Sequence, residues 1–217
     1  YREYIKHAVS YDDHAANNEV PYGDPWQLIN VFHDGATNSK QVVCEGYAKA
    51  FQYLCDLSTF TGGVTCALVT GNMTGGTGEG RHMWNVVRME DGSNYLVDVT
   101  NCDGEEGAST TSVGYPDKLF LCGAAGNVGD SYTATVNPEG GSTNTIRYAY
   151  DENTKQNYET ETLMLSVKNY TPPVELTGTV TIEGTAKIGQ PLTAKTGDLK
   201  AGEGGTAADL GTLKDQW

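Results

Sequence analysis

Hydrophobic and polar positions recur with two different periods along this chain. From Cys44 onward, apolar residues return every three or four positions, which predicts a helix with one buried stripe. A shorter helix is predicted within residues 1–16. Another is predicted at Pro25–Phe32, with Asp24 as its N-cap and a proline at its first helical position.

Runs that favour β-strands follow the helix. They are VTCALVT (64–70), HMWNVVRM (82–89), NYLVDVT (94–100), KLFLCG, YTATVN, TIRYAYD and TLMLSV. The sequence EDGS between the second and third runs indicates a hairpin turn, and residues 101–118 are expected to form a polar loop. Helices first and an antiparallel sheet afterwards predict an α+β domain.

A proline-containing linker, YTPPVELTG, divides the chain. We therefore predict a first domain at residues 1–171 and a second segment at residues 172–217. Apolar and polar residues alternate along the second segment, as they do in β-strands. The segment is short, however, for a domain that forms its own hydrophobic core. We expect it to be the opening of a repeat that continues beyond this chain.

Composition and charge exclude several partners. Lys and Arg number 14 and Asp and Glu number 28, for a net charge of −14. Without a basic patch, we expect no nucleic-acid partner, and without a long apolar run, we expect no membrane insertion. Because the chain begins at Tyr1 and not at methionine, we expect a fragment that has lost any targeting segment.

The chain has five cysteines, which could form disulfides, bind a metal or serve as reactive thiols. Their odd number leaves at least one thiol without an intrachain partner. Cys55 and Cys66 could pair, as could Cys102 and Cys122, or all four could remain reduced, since spacing does not determine connectivity. With no C-x-x-C pair, scattered histidines and no acidic loop of calcium-binding spacing, we expect no metal and no cofactor.

The remaining cysteine, Cys44, lies at the start of the predicted helix. A helix N-terminus presents unpaired N–H groups and a partial positive charge, which favour a thiolate and help to hold an oxyanion. Taken alone, such a cysteine is more often a buried inert thiol. A thiolate nucleophile also needs a base, and the base needs a group that orients it.

The hairpin that follows offers both groups, His82 and Asp98. A two- or four-residue turn would set Asp98 opposite Asn85, on the face away from His82. A three-residue turn sets Asp98 opposite Trp84, on the face of His82 and diagonally within reach. That turn needs a left-handed residue at its end, and Gly92 is there to supply it.

These segments resemble the transglutaminase-like superfamily, which has a papain-like core. The family segments C-x-GYA-x-AF and H-x-WN are matched here by CEGYAKAF and HMWN. The third, W/Y-x-x-x-D-x-T, is resembled by YLVDVT, which has two residues and not three between the aromatic residue and the acid. The resemblance covers about residues 1–171. It implies Cys44 as nucleophile, His82 as base and Asp98 as orienting acid, with N-terminal helices packed on an antiparallel sheet.

The resemblance implies acyl transfer on protein or peptide amides. We expect hydrolysis, as in a cysteine protease. A protein-crosslinking transglutaminase, a covalent adhesin and a non-catalytic binding or adhesion module are the alternatives. The approach to the cysteine lacks the G-x-G-x-C of many bacterial relatives, so the resemblance does not identify the oxyanion donor. We expect the Cys44 N–H to be that donor. Gln41 is either a second, side-chain donor or a solvated loop residue. Trp84 either lines the cleft or packs in the core.

The second segment resembles the first strands of bacterial immunoglobulin-like repeats, in GTVTIEGTAKIGQPLTA. An exposed linker with two strands is the plain alternative. The resemblance implies a catalytic domain displayed on a stalk, outside the cell or on its surface. Cell-wall material or a host surface would then be candidate partners, and disulfides would be permitted.

Overall fold

The structure is a computed structural model, and it describes residues 1–17, 23–33, 40–75, 79–103, 118–136, 143–173 and 176–202. Contacts within the chain divide it into two compact units, Tyr1–Tyr170 and Thr171–Trp217. All of the candidate site residues lie in the first unit.

The first unit has mixed α and β structure. Its described helices are α1 (Arg2–Ala8), α2 (Asp13–Asn17), α3 (Pro25–Phe32), α4 (Cys44–Asp56), α5 (Val99–Cys102), α6 (Glu152–Asn157) and a 3₁₀ helix at Thr160–Leu163. Its strands are β1 (Ser10–Tyr11), β2 (Gln41–Val42), β3 (Thr65–Thr74), β4 (Gly80–Arg88), β5 (Asn94–Val97), β6 (Phe120–Cys122), β7 (Ala125–Val128), β8 (Ser131–Val136) and β9 (Asn144–Tyr150).

Seven of these strands form one antiparallel sheet, in the order β6-β5-β4-β3-β9-β8-β7. The predicted α+β class is confirmed by this arrangement of helices and antiparallel strands. The two short strands β1 and β2 pair in parallel beside the start of α4. This pairing joins the N-terminal segment to the residues directly before Cys44.

Two of the predicted helices are confirmed with their starts. In α3, the Asp24 side chain accepts a hydrogen bond from the Trp26 N–H at 3.0 Å, as an N-cap does. Helix α4 begins at Cys44 itself. The apolar stripe of α4 is buried, because Tyr47, Ala50 and Phe51 are each at most 5 % exposed.

Side chains on the two faces of the sheet belong to two different hydrophobic clusters. On one face, Trp84 and Val86 of β4 pack with Ile146 and Tyr148 of β9. On the other, Val87 packs with residues of α1, α3 and α4. Two-residue alternation along β4 thus assigns His82 and Trp84 to the first face, as the sequence pattern requires.

The β4–β5 turn has the three-residue form that the sequence predicts. Asn85 pairs with Val97 and Arg88 with Asn94, a register that sets position 98 opposite position 84. The backbone closes through a 2.9 Å bond from the Gly92 N–H to the Met89 carbonyl, and Gly92 has a φ of +78°. The predicted turn is therefore confirmed.

Several predicted boundaries were wrong. Strand β5 ends at Val97 and not at Thr100, because Asp98 caps α5 by accepting a hydrogen bond from the Asn101 N–H at 3.2 Å. TLMLSV contains a 3₁₀ turn and one isolated bridge from Leu165 to Asn94, although Leu163 and Leu165 are buried as in a strand. Helix α2 and strand β7 were not predicted, and most of the 101–118 loop lies outside the described residues.

The second unit consists of short antiparallel pairs in its described part. Strand β10 (Leu176–Thr177) pairs with β13 (Lys200–Ala201), and β11 (Thr181–Gly184) pairs with β12 (Leu192–Lys195). Across the described part of the whole chain, no helix is long and apolar enough to cross a membrane.

Candidate active site

The candidate nucleophile, Cys44, is the first residue of α4. Its side chain is 5 % exposed and is a free thiol. The preceding residue, Val43, is the N-cap and provides no side-chain cap for the helix. The Gly46 N–H donates to the Val43 carbonyl at 2.9 Å, whereas the Cys44 N–H, at the first position of the helix, lies next to the sulfur and has no acceptor one turn back within the helix.

A buried glutamine fixes the start of α4. The Gln27 side chain, from α3, accepts a hydrogen bond from the Val43 N–H at 2.8 Å and is 6 % exposed. Gly46 lies against the same region, since a Cβ there would stand 2.5 Å from the Val42 Cβ and 2.7 Å from the Gln27 carbonyl oxygen. The glycine of CEGYA thus permits α3 and β2 to approach α4 closely.

His82 and Asp98 meet as the hairpin register requires. The His82 Nε2 lies 2.8 Å from the Asp98 Oδ2, and the two residues are 5 % and 0 % exposed. His82 belongs to β4, and Asp98 follows the last residue of β5. The contact is therefore set by one hairpin and its three-residue turn.

The same oxygen of Asp98 accepts two further hydrogen bonds. The Tyr148 hydroxyl donates at 2.7 Å and the Asn101 side-chain amide at 2.7 Å. Tyr148 comes from β9, and Asn101 is the third residue after Asp98, in α5. A buried carboxylate that is surrounded by donors stays ionised and holds its position.

The pKa of each partner reflects this arrangement. Burial by itself would raise the pKa of Asp98, but the charge of His82 and the hydrogen bonds from His82, Tyr148 and Asn101 lower it below its ordinary value. Burial would likewise lower the pKa of His82. The charge and hydrogen bond of Asp98, with those of Cys44, outweigh burial and raise that pKa to about 10.

The Cys44 side chain forms a hydrogen bond with the His82 imidazole. Because the Nε2 of His82 faces Asp98, the Nδ1 is the nitrogen left for the sulfur. The three groups therefore form a row from sulfur to imidazole to carboxylate, and the raised pKa of His82 favours a charged imidazolium in the middle. Such a row can carry a thiolate, shuttle a proton and keep the ring in one orientation.

Trp84 covers one side of the imidazole. Its ring stacks on His82 with a centroid distance of 5.8 Å and an interplanar angle of 16°, and it stacks on Tyr150 at 5.9 Å. The indole is 1 % exposed and its Nε1 donates to the Tyr132 hydroxyl. Trp84 is thus a core residue that also shields His82 from water.

Gln41 lies in β2, and it is exposed. Three residues of the site were not predicted from the sequence: Gln27, Asn101 and Tyr148. For Asn101 a local signal existed, because an acid followed three positions later by an asparagine fits an N-cap with its first turn. Gln27 and Tyr148 reach the site only through the packing of α3 and β9.

The three candidate site residues are enclosed in the described structure. None of the three residues is more than 5 % exposed, and Cys44 lies in a small apolar cluster with Ala48 and Met83, against Leu68. Met83 follows His82 along β4 and belongs to this cluster. Access to Cys44 therefore requires a local movement.

The other four cysteines are also free in this structure. Cys102 and Cys122 are buried in one cluster, and burial raises the pKa of each thiol to about 12. Cys55 and Cys66 are half-buried and hydrogen-bond to each other. Within the described residues, no group of three or more His, Cys, Asp or Glu side chains has the arrangement of a metal site.

Comparison of the chain with protein-family models gives no match, and comparison with curated proteins gives none either. The assignment of the site therefore depends on its own geometry.

Proposed function

We propose that this protein is a thiol-dependent acyl-transfer enzyme that acts on peptide or glutamine-type amides, with Cys44 as nucleophile, His82 as acid and base and Asp98 as the orienting carboxylate. One observation carries the proposal: a free thiol at a helix N-terminus hydrogen-bonds to an imidazole whose other nitrogen lies 2.8 Å from a buried carboxylate. A merely structural cysteine needs neither partner.

The first half of the reaction would form an acyl-enzyme. The Cys44 thiolate attacks the amide carbonyl, and a C–S bond forms as the carbonyl electron pair moves to oxygen. The oxyanion accepts a hydrogen bond from the Cys44 N–H, which lies at the start of α4. The imidazolium of His82 gives its proton to the leaving amine as the C–N bond breaks.

The second half would release the acyl group. Neutral His82 takes a proton from the acceptor, which attacks the thioester and restores the thiolate and the imidazolium. Water as acceptor gives hydrolysis, and a lysine-type amine gives transglutamination. We favour hydrolysis, as expected from the resemblance to peptidase-like members of the transglutaminase-like superfamily.

We further propose that the first unit has a papain-like or transglutaminase-like core. A nucleophile at the N-terminus of α4, followed by a base and an acid on the β4–β5 hairpin, has the order of a papain-like or transglutaminase-like core. The antiparallel sheet and the helices on one of its faces support that assignment. We also propose that the second unit is an immunoglobulin-like segment of an extracellular or surface protein, for which its short antiparallel pairs are the support.

Burial of Cys44 sets a condition on the mechanism. With 5 % exposure, the sulfur must become accessible before a substrate carbonyl can reach it. Met83 belongs to the same small cluster as Cys44 and Ala48, and the partly buried Leu68 packs against that cluster. We propose that opening occurs on this side, without loss of the His82–Asp98 pair.

Alkylation by iodoacetamide across pH tests the proposal. We expect Cys44 to react faster near neutral pH than a free cysteine, and to lose that advantage in His82→Ala. His33→Ala, at an exposed histidine, is the matched control and should react like the wild type. Equal reactivity of Cys44 in the wild type and in His82→Ala would contradict the proposal.

Peptide amides with and without an amine acceptor identify the reaction. We expect the wild type to release amine and form a free acid, and Cys44→Ala to do neither. A crosslinked product with the amine would favour transglutamination. Identical behaviour of the two proteins in every assay would contradict the proposed catalysis. A non-catalytic binding or adhesion module would then be the remaining function.

A further inference from the structure

A second pair of cysteines, Cys55 and Cys66, lies outside the candidate active site. The two residues are eleven positions apart in the sequence. Cys55 belongs to the last turn of α4 and Cys66 to the beginning of β3, and their side chains hydrogen-bond to each other. Both are half-buried, so a small reagent can approach them from solvent.

The packing of α4 on β3 holds this pair together. The Asn85 side-chain amide donates to the Ala48 carbonyl of α4 at 3.1 Å and to the Ala67 carbonyl of β3 at 3.5 Å. This bridge joins β3 beside Cys66 to α4 about two turns before Cys55, and Asn85 also hydrogen-bonds to the Cys66 sulfur. Cys55 and Cys66 pack against the same hydrophobic cluster, between α4 and the sheet.

We propose that Cys55 and Cys66 are a reversible disulfide site that ties α4 to β3, with a low-molecular-weight disulfide such as oxidised glutathione as the oxidant. The pair takes no part in the proposed acyl transfer, so the inference does not depend on that function. Its effect would be to fix the end of α4 that is remote from Cys44.

The reaction balances as two thiol–disulfide exchanges. The Cys55 thiolate attacks one sulfur of the oxidised reagent, forms a mixed disulfide and releases one reduced thiolate. Cys66 then loses its proton to solvent and attacks the Cys55 sulfur, and the second reduced thiolate leaves. The two protein thiols are oxidised, and one reagent disulfide is reduced to two thiols.

The electrostatics of the pair support this order of attack. The hydrogen bond from Cys66 lowers the pKa of Cys55 against the opposing effect of burial. The same hydrogen bond, with burial, raises the pKa of Cys66. Cys55 is therefore the attacking thiolate and Cys66 the resolving thiol.

The 217-residue chain with Cys44→Ala provides the test, since the substitution removes the thiol that we assign to the active site. The protein is equilibrated in mixtures of reduced and oxidised glutathione, quenched with acid, treated with N-ethylmaleimide and mapped by mass spectrometry. We expect oxidising mixtures to yield a Cys55–Cys66 linked peptide and to remove two alkylation sites. Dithiothreitol should restore both sites.

A second measurement reports the effect of the bond on the fold. The disulfide closes a short loop, so we expect the oxidised protein to melt about 5 °C higher than the reduced protein. Cys55→Ser and Cys66→Ser, each in the same background, should show no such shift. In Cys66→Ser, a glutathione adduct should accumulate on Cys55 because the resolving thiol is absent.

Three outcomes would overturn the inference. Both cysteines could remain alkylated in every mixture, which would show that the oxidant does not reach them. A glutathione adduct could persist on Cys55 although Cys66 is present, which would show that the sulfurs cannot bond. A link between Cys102 and Cys122 in place of Cys55–Cys66 would assign the redox chemistry to the other pair.

Discussion

Asp98 is the central residue of the candidate site, because a single oxygen of its carboxylate accepts hydrogen bonds from His82, Tyr148 and Asn101. The charge of Asp98 keeps His82 protonated at neutral pH in spite of burial. Removing that charge leaves the size of the side chain almost unchanged. The substitution Asp98→Asn therefore separates electrostatics from packing.

We expect Asp98→Asn to lower the pKa of His82 and to reduce the alkylation rate of Cys44 by roughly 10²-fold or more, because the imidazolium that supports the thiolate is lost. An NMR titration of the imidazole nitrogens measures the pKa, and iodoacetamide measures the rate. Asp198→Asn, at an exposed acid of the second unit, is the control. A His82 that still titrates near pH 10 in Asp98→Asn would assign its charge to another cause.

Tyr148 contributes at the same scale through one hydroxyl. Tyr148→Phe keeps the ring in its tilted contact with Trp84, at 5.1 Å between centroids, but removes one donor from a buried carboxylate. We expect a loss of about 1–2 kcal/mol in the free energy of unfolding, measured with urea. Tyr53→Phe removes a hydroxyl from a ring that is 46 % exposed and should change stability by less than about 0.5 kcal/mol. Equal losses in the two variants would rule out a special role for the Tyr148 bond.

At the scale of elements, the β4–β5 hairpin brings the base and the acid together through its turn. Gly92 has a φ of +78°, which a residue with a Cβ adopts only at a cost. We expect Gly92→Ala to lose about 1 kcal/mol of stability and to slow alkylation of Cys44, because strain in the turn loosens the His82–Asp98 contact. Gly197→Ala, where a Cβ would enter open space at an ordinary φ, is the matched control.

If the β4–β5 turn tolerates alanine at position 92, the role proposed for Gly92 is wrong. If Gly92→Ala and Gly197→Ala have the same free energy of unfolding and the same Cys44 reactivity, the three-residue turn does not need its left-handed residue. Urea denaturation and iodoacetamide kinetics on the two variants decide the point.

The start of α4 depends on a second element, α3. Gln27→Ala leaves the buried Val43 N–H without its acceptor, so we expect a loss of about 1–3 kcal/mol in stability and a slower reaction of Cys44. Gln156→Ala, at an exposed position of α6, serves as the control for the loss of an amide side chain. Unchanged Cys44 kinetics in Gln27→Ala would show that the N-terminus of α4 holds its position without this bond.

Local sequence signals and long-range packing explain different parts of this fold. The α4 stripe, the Asp24 cap and the Gly92 turn are local, and each could be predicted because a few neighbouring residues determine it. Tyr148 and Gln27 reach the site through β9 and α3, whose placement depends on contacts that no local period encodes. TLMLSV shows the same limit, since alternate burial does not require a paired strand.

At the scale of the whole molecule, the burial of the site and its charge state are coupled. Cys44, His82 and Asp98 are enclosed, so the ion pair exists in a setting where water screens it little. An enclosed ion pair must be formed on folding and is lost on unfolding. The stability of the protein should therefore depend on pH through this pair.

The sign of the dependence follows from the two pKa shifts. His82 has its pKa raised from 6.5 to about 10, so its contribution is complete below pH 6.5 and is lost as pH rises toward 10. Asp98 has its pKa lowered from 3.8, so its contribution is present above pH 3.8 and is lost as pH falls below that value. The pair should stabilise the fold most between these limits, from about pH 4 to pH 6.5.

Comparison of the wild type with His82→Gln measures this contribution. We expect the difference in free energy of unfolding to be largest near pH 6.5 and to shrink by at least about 1 kcal/mol as the pH approaches 10, because the native imidazole then loses its charge. Urea denaturation at both ends of this range gives the values, and His33→Gln, at an exposed histidine, should show no such trend. A difference that stays constant or grows with pH would mean that His82 is neutral in the native state, and the thiolate–imidazolium pair would lose its basis.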